Sequence, residues 1–243
     1  MHGFRWAIYI DIEGFGALYD RENQILLALC DLMEGIFLIG ARCYPESPER
    51  IFAHQTGDGF VIVSEFGSES LAVPMSITIA LLRHIAVRGR FGKAAIGEGD
   101  FADITGCYPQ IIREARIGDS AVRMGGAIMT LFPVMGTALI DAVGVAKRSP
   151  SGSLLTTDSA NQSRLPNNGV VTEPCDAGVI SIDWVHADLP LIAELQQRAG
   201  LRKPSATAIE RAFNLYCDNQ GTPEHWAEST ARLLGFGHRQ GGT

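Results

Sequence analysis

A hairpin signal in the first quarter of the chain constrains the fold more than any other sequence feature. Two runs rich in strand-favouring residues, 50–55 and 60–66, are separated by Thr56-Gly57-Asp58-Gly59, and an Asp-Gly step between such runs favours a tight turn. The two runs are therefore predicted to pair as adjacent antiparallel strands, with Asp58 at the tip of the hairpin.

The segments on either side of the hairpin complete a β-α-β-β-α-β order. Apolar, strand-like runs cover 4–10 and 91–96, and apolar residues at helical spacing cover 17–39 and 69–87. The sequence Gly97-Glu98-Gly99 is expected to end the last strand. This order predicts an α+β fold, a ferredoxin-like or palm core in which two helices cover one face of an antiparallel sheet.

The remainder of the chain carries weaker signals. Residues 106–126 show no clean period, and 162–176 are predicted to form a loop. The other predicted elements are strands over 129–133, 153–157 and 179–185 and helices over 134–147, 189–200, 205–219 and 222–235. We therefore divide the chain into a domain of residues 1–185 and a C-terminal helical extension of residues 186–243, which packs on that domain or on a partner chain.

Charge and cysteine content exclude several classes of function. The 243 residues include 20 Lys and Arg against 27 Asp and Glu, a formal net charge of −7, so broad binding to nucleic acid or to an anionic membrane is not expected. The five cysteines include no Cys-x-x-Cys pair for zinc or redox chemistry. Without a signal-like start or an apolar run of about 18 residues, we expect a cytoplasmic protein with reduced thiols.

Two aspartates carry the chemistry that this topology predicts. Asp11 ends the first strand and Asp58 lies at the hairpin tip, and the first and third strands are neighbours in this strand order. Two carboxylates held close together favour a divalent cation, and hard oxygen ligands suit Mg²⁺ or Mn²⁺. Two such ions could activate an attacking oxygen and neutralise a departing phosphate.

The turn after Asp11 is suited to bind phosphate. Residues Ile12-Glu13-Gly14-Phe15-Gly16 lie between a strand and a helix, so their N–H groups and the helix N-terminus could hold a triphosphate. Taken singly, Asp11 could cap the helix and Asp58 could simply form a turn. Their joint placement favours a metal-dependent phosphate site.

The two segments resemble the signatures of class III nucleotidyl cyclases, which are phosphorus-oxygen lyases. YIDIEGFGAL is similar to the first signature, a strand ending in Asp followed by a Gly-Phe turn, and HQTGDGFVIV is similar to the central hairpin. The resemblance covers about residues 4–157 and makes residues 1–185 the catalytic domain. It implies a head-to-tail homodimer in which each chain supplies part of two composite sites.

The resemblance also implies roles for individual residues. Asp11 and Asp58 match the catalytic aspartates that bind two Mg²⁺ or Mn²⁺ ions per site, and Ile12 is implied as a further metal ligand. The phosphate-binding residues implied are Glu13, Gly14, Phe15 and Gly16.

The base-reading positions of purine cyclases are changed in this sequence. The position that holds Lys for adenine or Glu for guanine is His54, and the second position falls on Pro133 when Gly136 opens the next helix. The positions of the usual transition-state Asn and Arg hold Ile140 and Gly144, which are chemically silent. Charged side chains that a shifted alignment could supply are Asp141, Lys147 and Arg148.

Loss of the purine contacts with both metal acids retained is similar to the pyrimidine cyclases of bacterial Pycsar anti-phage systems. That resemblance implies conversion of UTP to 3′,5′-cyclic UMP and pyrophosphate, and a separate effector that senses the product. Base-binding candidates are Tyr44, whose ring and hydroxyl could fill the space of a purine, together with His54 and Arg42.

Three other functions are compatible with parts of the pattern. One is a cytidylate cyclase that makes cyclic CMP. A diguanylate cyclase shares the sheet, but its hairpin requires a double glycine followed by acids, which TGDGF lacks. A catalytically inactive, cyclase-like dimer that binds nucleotide is favoured by Ile140 and Gly144 and opposed by the two retained aspartates.

Overall fold

A mixed β-sheet forms the middle layer of the structure, a computed structural model that describes residues 2–13, 22–46, 51–64, 69–118 and 120–237. In chain order the strands are β1 (His2–Ile12), β2 (Ile51–Thr56), β3 (Gly59–Ser64), β4 (Gly92–Asp103), β5 (Arg116–Ile117), β6 (Ala121–Met124), β7 (Ala127–Thr130), β8 (Val134–Met135), β9 (Leu155–Asp158), β10 (Thr172–Cys175) and β11 (Val179–Ile182). The helices are α1 (Glu22–Cys43), α2 (Ala72–Ala86), α3 (Gln110–Glu114), α4 (Thr137–Arg148), α5 (Pro190–Ala199), α6 (Ala206–Gln220) and α7 (Glu224–Leu233). In this described part of the chain, no helix is long and apolar enough to cross a membrane.

The strand order of the main sheet brings the end of β1 to the β2–β3 hairpin. The order is β10-β11-β9-β4-β1-β3-β2, and β8 pairs with the far end of β4. The pairs are antiparallel except for β4 and β9, which run parallel. The predicted α+β class and the β-α-β-β-α-β order are confirmed, and the later strands extend the sheet beyond β4.

Helices cover both faces of the sheet. Side chains alternate between these faces along the central strand β1, so each face carries apolar residues that a helix can bury. Trp6, Ile8 and Ile10 of β1 are buried in the main hydrophobic core, which also contains the buried faces of α1 and α2. Ala7, between them, packs on the opposite face in a second cluster with Leu139 of α4. The two-helix layer is as predicted, and α4 adds a layer on the other face.

Two glycines that were predicted to end the fourth strand lie inside it. β4 continues through Gly97 and Gly99, where α4 crosses the sheet at close range. A Cβ atom would lie 2.2 Å from the Ala142 nitrogen at Gly97 and 2.3 Å from the Thr137 Oγ1 at Gly99. The predicted break was wrong because a glycine that allows close helix packing gives the same sequence signal as a turn glycine.

The segment between β4 and α4, which shows no clean period in the sequence, forms a small separate unit. It contains the short helix α3 and a three-stranded antiparallel sheet of β5, β6 and β7. The strand predicted over 129–133 is seen as the earlier and shorter β7. Several large apolar side chains of this unit are exposed, among them Ile111, Met124 and Ile128.

The three C-terminal helices share the main core with the sheet. α5 packs against α1 and α2, and α6 packs against α2. Leu195, Phe213 and Trp226 belong to the same buried cluster as Trp6 and Ile8 of β1. The segment that leads into α5 is held by the Arg83 guanidinium, which donates hydrogen bonds to the carbonyls of Trp184, Val185 and Ala187.

The close approach of α4 to β4 predicts opposite effects for one substitution at two glycines. Gly97→Ala should destabilise the protein by about 3 kcal/mol, because the new methyl group overlaps the α4 backbone. Gly144→Ala, in α4 itself, has no atom within 4 Å of the new Cβ and should stabilise the protein by roughly 0.5–1 kcal/mol through helix propensity. Urea unfolding of the two variants measures both; equal effects would contradict the packing described.

Candidate active site

The alternation of side chains along β1 places Asp11 at the end of the strand, on the face that α4 covers. Ile10 and Ile12 on either side of it are buried in the main core, so the Asp11 side chain points to the opposite face. The backbone of Asp11 lies between Gly59 of β3 and Lys93 of β4, its partners in the two ladders. A carboxylate is therefore fixed by backbone pairing on both sides.

The β2–β3 hairpin brings Asp58 to Asp11. Thr56 pairs with Gly59, which leaves Gly57 and Asp58 as the turn, and Gly57 has a φ of 65° that suits glycine. Burial and, next, the neighbouring Asp58 carboxyl raise the pKa of Asp11 from 3.8 to about 7. The structure thus brings together the two aspartates that the sequence singled out.

One oxygen of Asp11 lacks the hydrogen bond that a buried carboxylate needs. Its Oδ1 atom is buried and has no hydrogen-bond partner among the described residues. Gly59 keeps the space beside it open, since a Cβ there would lie 2.8 Å from Oδ1 and 2.4 Å from the Ile10 carbonyl oxygen. A divalent cation would stabilise this arrangement of two adjacent carboxylates, so the residues fit a metal site.

The side-chain ligands at this position are few. Among the described residues, no group of three or more His, Cys, Asp or Glu side chains is placed to hold a metal ion. Mg²⁺ is commonly held by one or two carboxylates together with water and substrate phosphates, which is compatible with Asp11 and Asp58. Ile12, the third predicted ligand, buries its side chain in the main core and could offer only its backbone carbonyl.

Glu13 has its polar groups engaged within the protein. Its N–H donates to the Phe91 carbonyl at 2.9 Å, so that N–H is not free for a phosphate. Burial raises the pKa of the Glu13 carboxyl, whereas the adjacent Trp226 side chain and Lys93 act in the opposite direction. The other predicted phosphate-binding residues, Gly14, Phe15 and Gly16, lie outside the described residues.

Two residues beside the aspartates were not singled out from the sequence. Burial and then the charges of Asp11 and Asp58 raise the pKa of Tyr9 to about 12, so its hydroxyl stays a hydrogen-bond donor beside Asp11. Lys93 is half-buried, and its Nζ donates to the Ser149 carbonyl at 3.2 Å. Tyr9 lies two positions before Asp11, so strand alternation could have identified it, whereas Lys93 depends on a pairing register that the sequence does not reveal.

His54 lies on β2 and packs against an aromatic ring at a tilt. The centroids of the His54 and Phe132 rings are 3.9 Å apart with planes 32° apart, and burial lowers the pKa of His54. Phe132 directly precedes Pro133, and Gly136 stands at the start of α4 as expected. The two positions that the resemblance assigns to base reading therefore lie close to each other.

The structure places Arg42 and Tyr44 away from the aspartates. The Arg42 guanidinium donates to the Ala199 carbonyl of α5 at 2.9 Å. Tyr44 packs against the main core, on the other side of the sheet from the Asp11 side chain. Within one chain, these two residues are not brought to the acid pair.

α4 presents an apolar surface at the positions of the usual transition-state groups. The Ile140 side chain is 70% exposed, and no atom lies within 4 Å of a Cβ built at Gly144. Of the nearby charged residues, Asp141 accepts a hydrogen bond from the Glu98 N–H at 3.0 Å and Arg148 forms an ion pair with Asp158. Asp141 and Arg148 thus have structural partners.

Comparison with known proteins gives similarity of structure only. No protein-family model matches the sequence, and no curated protein matches it significantly. The catalytic core of a rhodopsin-guanylyl cyclase with converted specificity, in complex with ATPαS, is 10% identical and aligns over 75% of this chain and 96% of that chain with a TM-score of 0.48. A bacterial light-regulated adenylyl cyclase is 9% identical over 86% of this chain and 57% of that chain, with a TM-score of 0.47.

A third solved structure is a non-canonical dimeric guanylyl cyclase domain of the RhoGC fusion protein from the aquatic fungus Blastocladiella emersonii. It is 10% identical and aligns over 75% of this chain and 96% of that chain, with a TM-score of 0.45. At these identities and TM-scores, the similarity does not bear on which reaction this chain carries out.

The raised pKa of Asp11 predicts a pH-dependent stability. Because the folded state binds a proton more tightly than the unfolded chain, the stability that Asp11 contributes is full below about pH 4 and is lost as pH rises through about 7. Asp11→Asn should therefore stabilise the metal-free protein at pH 8 by on the order of 1–2 kcal/mol and have little effect at pH 4. Urea unfolding across this pH range is the measurement.

The exposed Asp100 offers a matched control for this prediction. Asp100→Asn should leave the pH dependence as in the wild type. Mn²⁺ at pH 8 should raise the melting temperature of the wild type and of Asp100→Asn but not of Asp11→Asn. An increase in the stability of metal-free Asp11→Asn over the wild type that is equal at pH 4 and pH 8 would contradict the raised pKa of Asp11.

Proposed function

We propose that this protein is a metal-dependent nucleotidyl cyclase whose substrate is a pyrimidine nucleoside triphosphate, UTP in the first place and CTP in the second. The observation that carries the proposal is the buried Asp11 Oδ1, which lacks a hydrogen-bond partner at the point where the hairpin brings Asp58 beside it. The similarity of both segments to the cyclase signatures supports the same function. We place the catalytic machinery in residues 1–185.

In this proposal Asp11 and Asp58 would hold two Mg²⁺ or Mn²⁺ ions, and the Ile12 carbonyl would be a further ligand. The chemistry that bound ions supply is charge neutralisation at the attacking and departing oxygens. The 3′-hydroxyl of the nucleotide loses its proton to solvent water, and its oxygen forms a bond to the α-phosphorus. The bond from the α-phosphorus to the bridging oxygen of the β-phosphate breaks, which releases pyrophosphate and the 3′,5′-cyclic monophosphate.

The residues around Asp11 have distinct tasks in that reaction. The Tyr9 hydroxyl, which stays protonated, holds the Asp11 carboxylate in place by hydrogen bonding. Lys93, paired with Asp11 across the β1–β4 ladder, supplies a positive charge close to both Asp11 and Glu13. These groups orient the acid before the substrate arrives, so little reorganisation is needed during the reaction.

The contact between the His54 and Phe132 rings supports the preference for a small base. The two rings lie at positions to which the resemblance assigns purine recognition, or next to them, and neither the Phe132 ring nor Pro133 offers a side-chain hydrogen bond to a purine edge. A pyrimidine requires less room beside such a ring pair. We therefore propose His54 as a base-contacting residue and leave Arg42 and Tyr44 out of the site.

Assembly and signalling complete the proposal. A homodimer would combine parts of two chains in each site, and the cyclic nucleotide would act through a separate effector protein, as in anti-phage defence. A catalytically inactive nucleotide-binding dimer is the second candidate, because the exposed Ile140 and the half-buried Gly144 stand on α4 where the resemblance expects polar groups.

Product analysis tests the proposed reaction directly. Purified protein incubated separately with ATP, GTP, CTP and UTP in the presence of Mn²⁺ should yield cyclic UMP from UTP, identified by mass spectrometry. Asp58→Ala should lose at least about 100-fold in rate, because one carboxylate ligand is gone. Nucleotide binding without product from any of the four would replace the cyclase proposal by the inactive dimer.

Base selectivity provides an independent test of the His54–Phe132 pair. His54→Ala and Phe132→Leu should lower the ratio of kcat/KM for UTP to that for the other three nucleotides by about 10-fold, because the shape of the base site changes. Phe52→Leu is a matched control, since Phe52 lies on the same strand but contacts Phe101 instead. An unchanged ratio in both test variants would remove His54 and Phe132 from the base site.

A further inference from the structure

The turn that follows Asp11 is tied to the C-terminal helices at the backbone of one residue. The Glu13 N–H donates to the Phe91 carbonyl at 2.9 Å, and the Glu13 carbonyl accepts a hydrogen bond from the Tyr216 hydroxyl at 3.4 Å. Tyr216 lies on α6, 203 positions later in the chain. Both polar backbone groups of Glu13 are thus held, one of them by the C-terminal extension.

An aromatic cluster fixes the position of Tyr216 relative to the sheet. Phe91, which directly precedes β4, packs against Phe213 and Tyr216 of α6 with ring centroids 5.6 and 5.2 Å apart. Trp226 of α7 lies 5.8 Å from each of those two rings, and its indole is adjacent to the Glu13 carboxylate. Of the two residues that hold the backbone of Glu13, Phe91 therefore packs against α6, and Tyr216 of α6 packs against Trp226 of α7.

A second route connects α7 to the same end of the sheet without using Glu13. The buried Thr230 of α7 accepts a hydrogen bond from the Ser153 N–H at 2.9 Å, and the Ser153 hydroxyl donates to the Gly92 carbonyl at 2.8 Å. Gly92 pairs with Ile12, and a Cβ there would lie 2.9 Å from the Asp11 carbonyl oxygen. The strand end that carries Asp11 thus contacts the extension through two separate sets of residues.

We propose that Tyr216 and Trp226 are positioning residues for the Asp11–Asp58 site, so that docking of α6 and α7 and binding of a divalent cation at the aspartates favour each other. The inference rests on the proposed function for its catalytic consequence and on the contacts above for the coupling itself. Coupling of this kind is reciprocal: what weakens docking weakens cation binding, and a bound cation protects the docked helices. The C-terminal extension is then a working part of the catalytic unit.

Hydrogen exchange on the ligand-free, full-length protein tests the coupling before any ligand is added. Tyr216→Phe removes one hydroxyl and keeps the ring, and Trp226→Phe removes the indole N–H. Both variants should exchange the amides of residues 10–13 at least about threefold faster than the wild type, because Tyr216→Phe removes the hydrogen bond to the Glu13 carbonyl and Trp226→Phe leaves a smaller ring beside Tyr216. Wild-type exchange at these amides in both variants would overturn the proposal.

Cation binding then separates positioning from simple destabilisation. The Mn²⁺ dissociation constant, measured by electron paramagnetic resonance of free Mn²⁺, should rise about fivefold in Tyr216→Phe, as expected for one hydrogen bond. Leu195→Ala is the control: it removes a buried side chain of α5 that packs in the main core and should lower stability more, yet leave Mn²⁺ affinity unchanged. Equal weakening in Tyr216→Phe and Leu195→Ala would show global destabilisation and contradict positioning.

Kinetics of the same variants distinguish the coupling from the proposed reaction. If the wild type turns over a nucleotide, Tyr216→Phe should raise the KM for the metal–nucleotide complex more than it lowers kcat. If the wild type forms no product while the exchange and Mn²⁺ results follow expectation, the proposed function fails and the coupling stands. If the wild type forms product while exchange and affinity are unchanged in both variants, the coupling fails and the proposed function stands.

Discussion

The repulsion between two carboxylates at the end of a buried strand is the constraint on which the site depends. Asp11 and Asp58 would separate if either were on a mobile segment, because like charges in partly buried surroundings disfavour each other. They are kept together because β1 is paired on both edges and the β2–β3 hairpin fixes the position of Asp58. The unfavourable electrostatics are concentrated at one end of β1, which leaves a strong local preference for a cation.

The two faces of the sheet serve different purposes. On the face of Trp6, Ile8 and Ile10, the sheet is covered by α1, α2 and the C-terminal helices, which together form the main hydrophobic core. On the other face, a smaller cluster around Ala7 and Leu139 holds α4. Asp11 and His54 lie on this second face, where less apolar surface is buried. Stability is thus provided mainly on one side and the candidate chemistry on the other.

Prediction from this sequence succeeded where a feature depends on neighbouring residues and failed where it depends on residues far away in the sequence. The hairpin, the helix periods and the end of β1 depend on neighbouring residues, and these predictions agree with the structure. The role of Gly97 depends on Ala142 of a helix that comes much later, so the glycine was assigned to a strand break. Arg42 and Tyr44 precede β2 in the sequence, yet Arg42 bonds to Ala199 of α5 and Tyr44 packs against the main core, contacts that only the tertiary structure reveals. The position of Lys93 beside Asp11 likewise depends on the pairing register of β1 and β4, which the sequence does not reveal.

The hydrogen bond between Glu13 and Tyr216 also sets an order of events during synthesis. It joins residues 203 positions apart, so this contact can form only after the intervening residues have been synthesised. At about 5–20 residues per second, a ribosome would need roughly 10–40 s between the two residues. Throughout that interval the nascent chain has both aspartates but not the contact that restrains the turn after Asp11. A chain that stops before α6 would therefore carry the complete pair of acids without the final geometry around them.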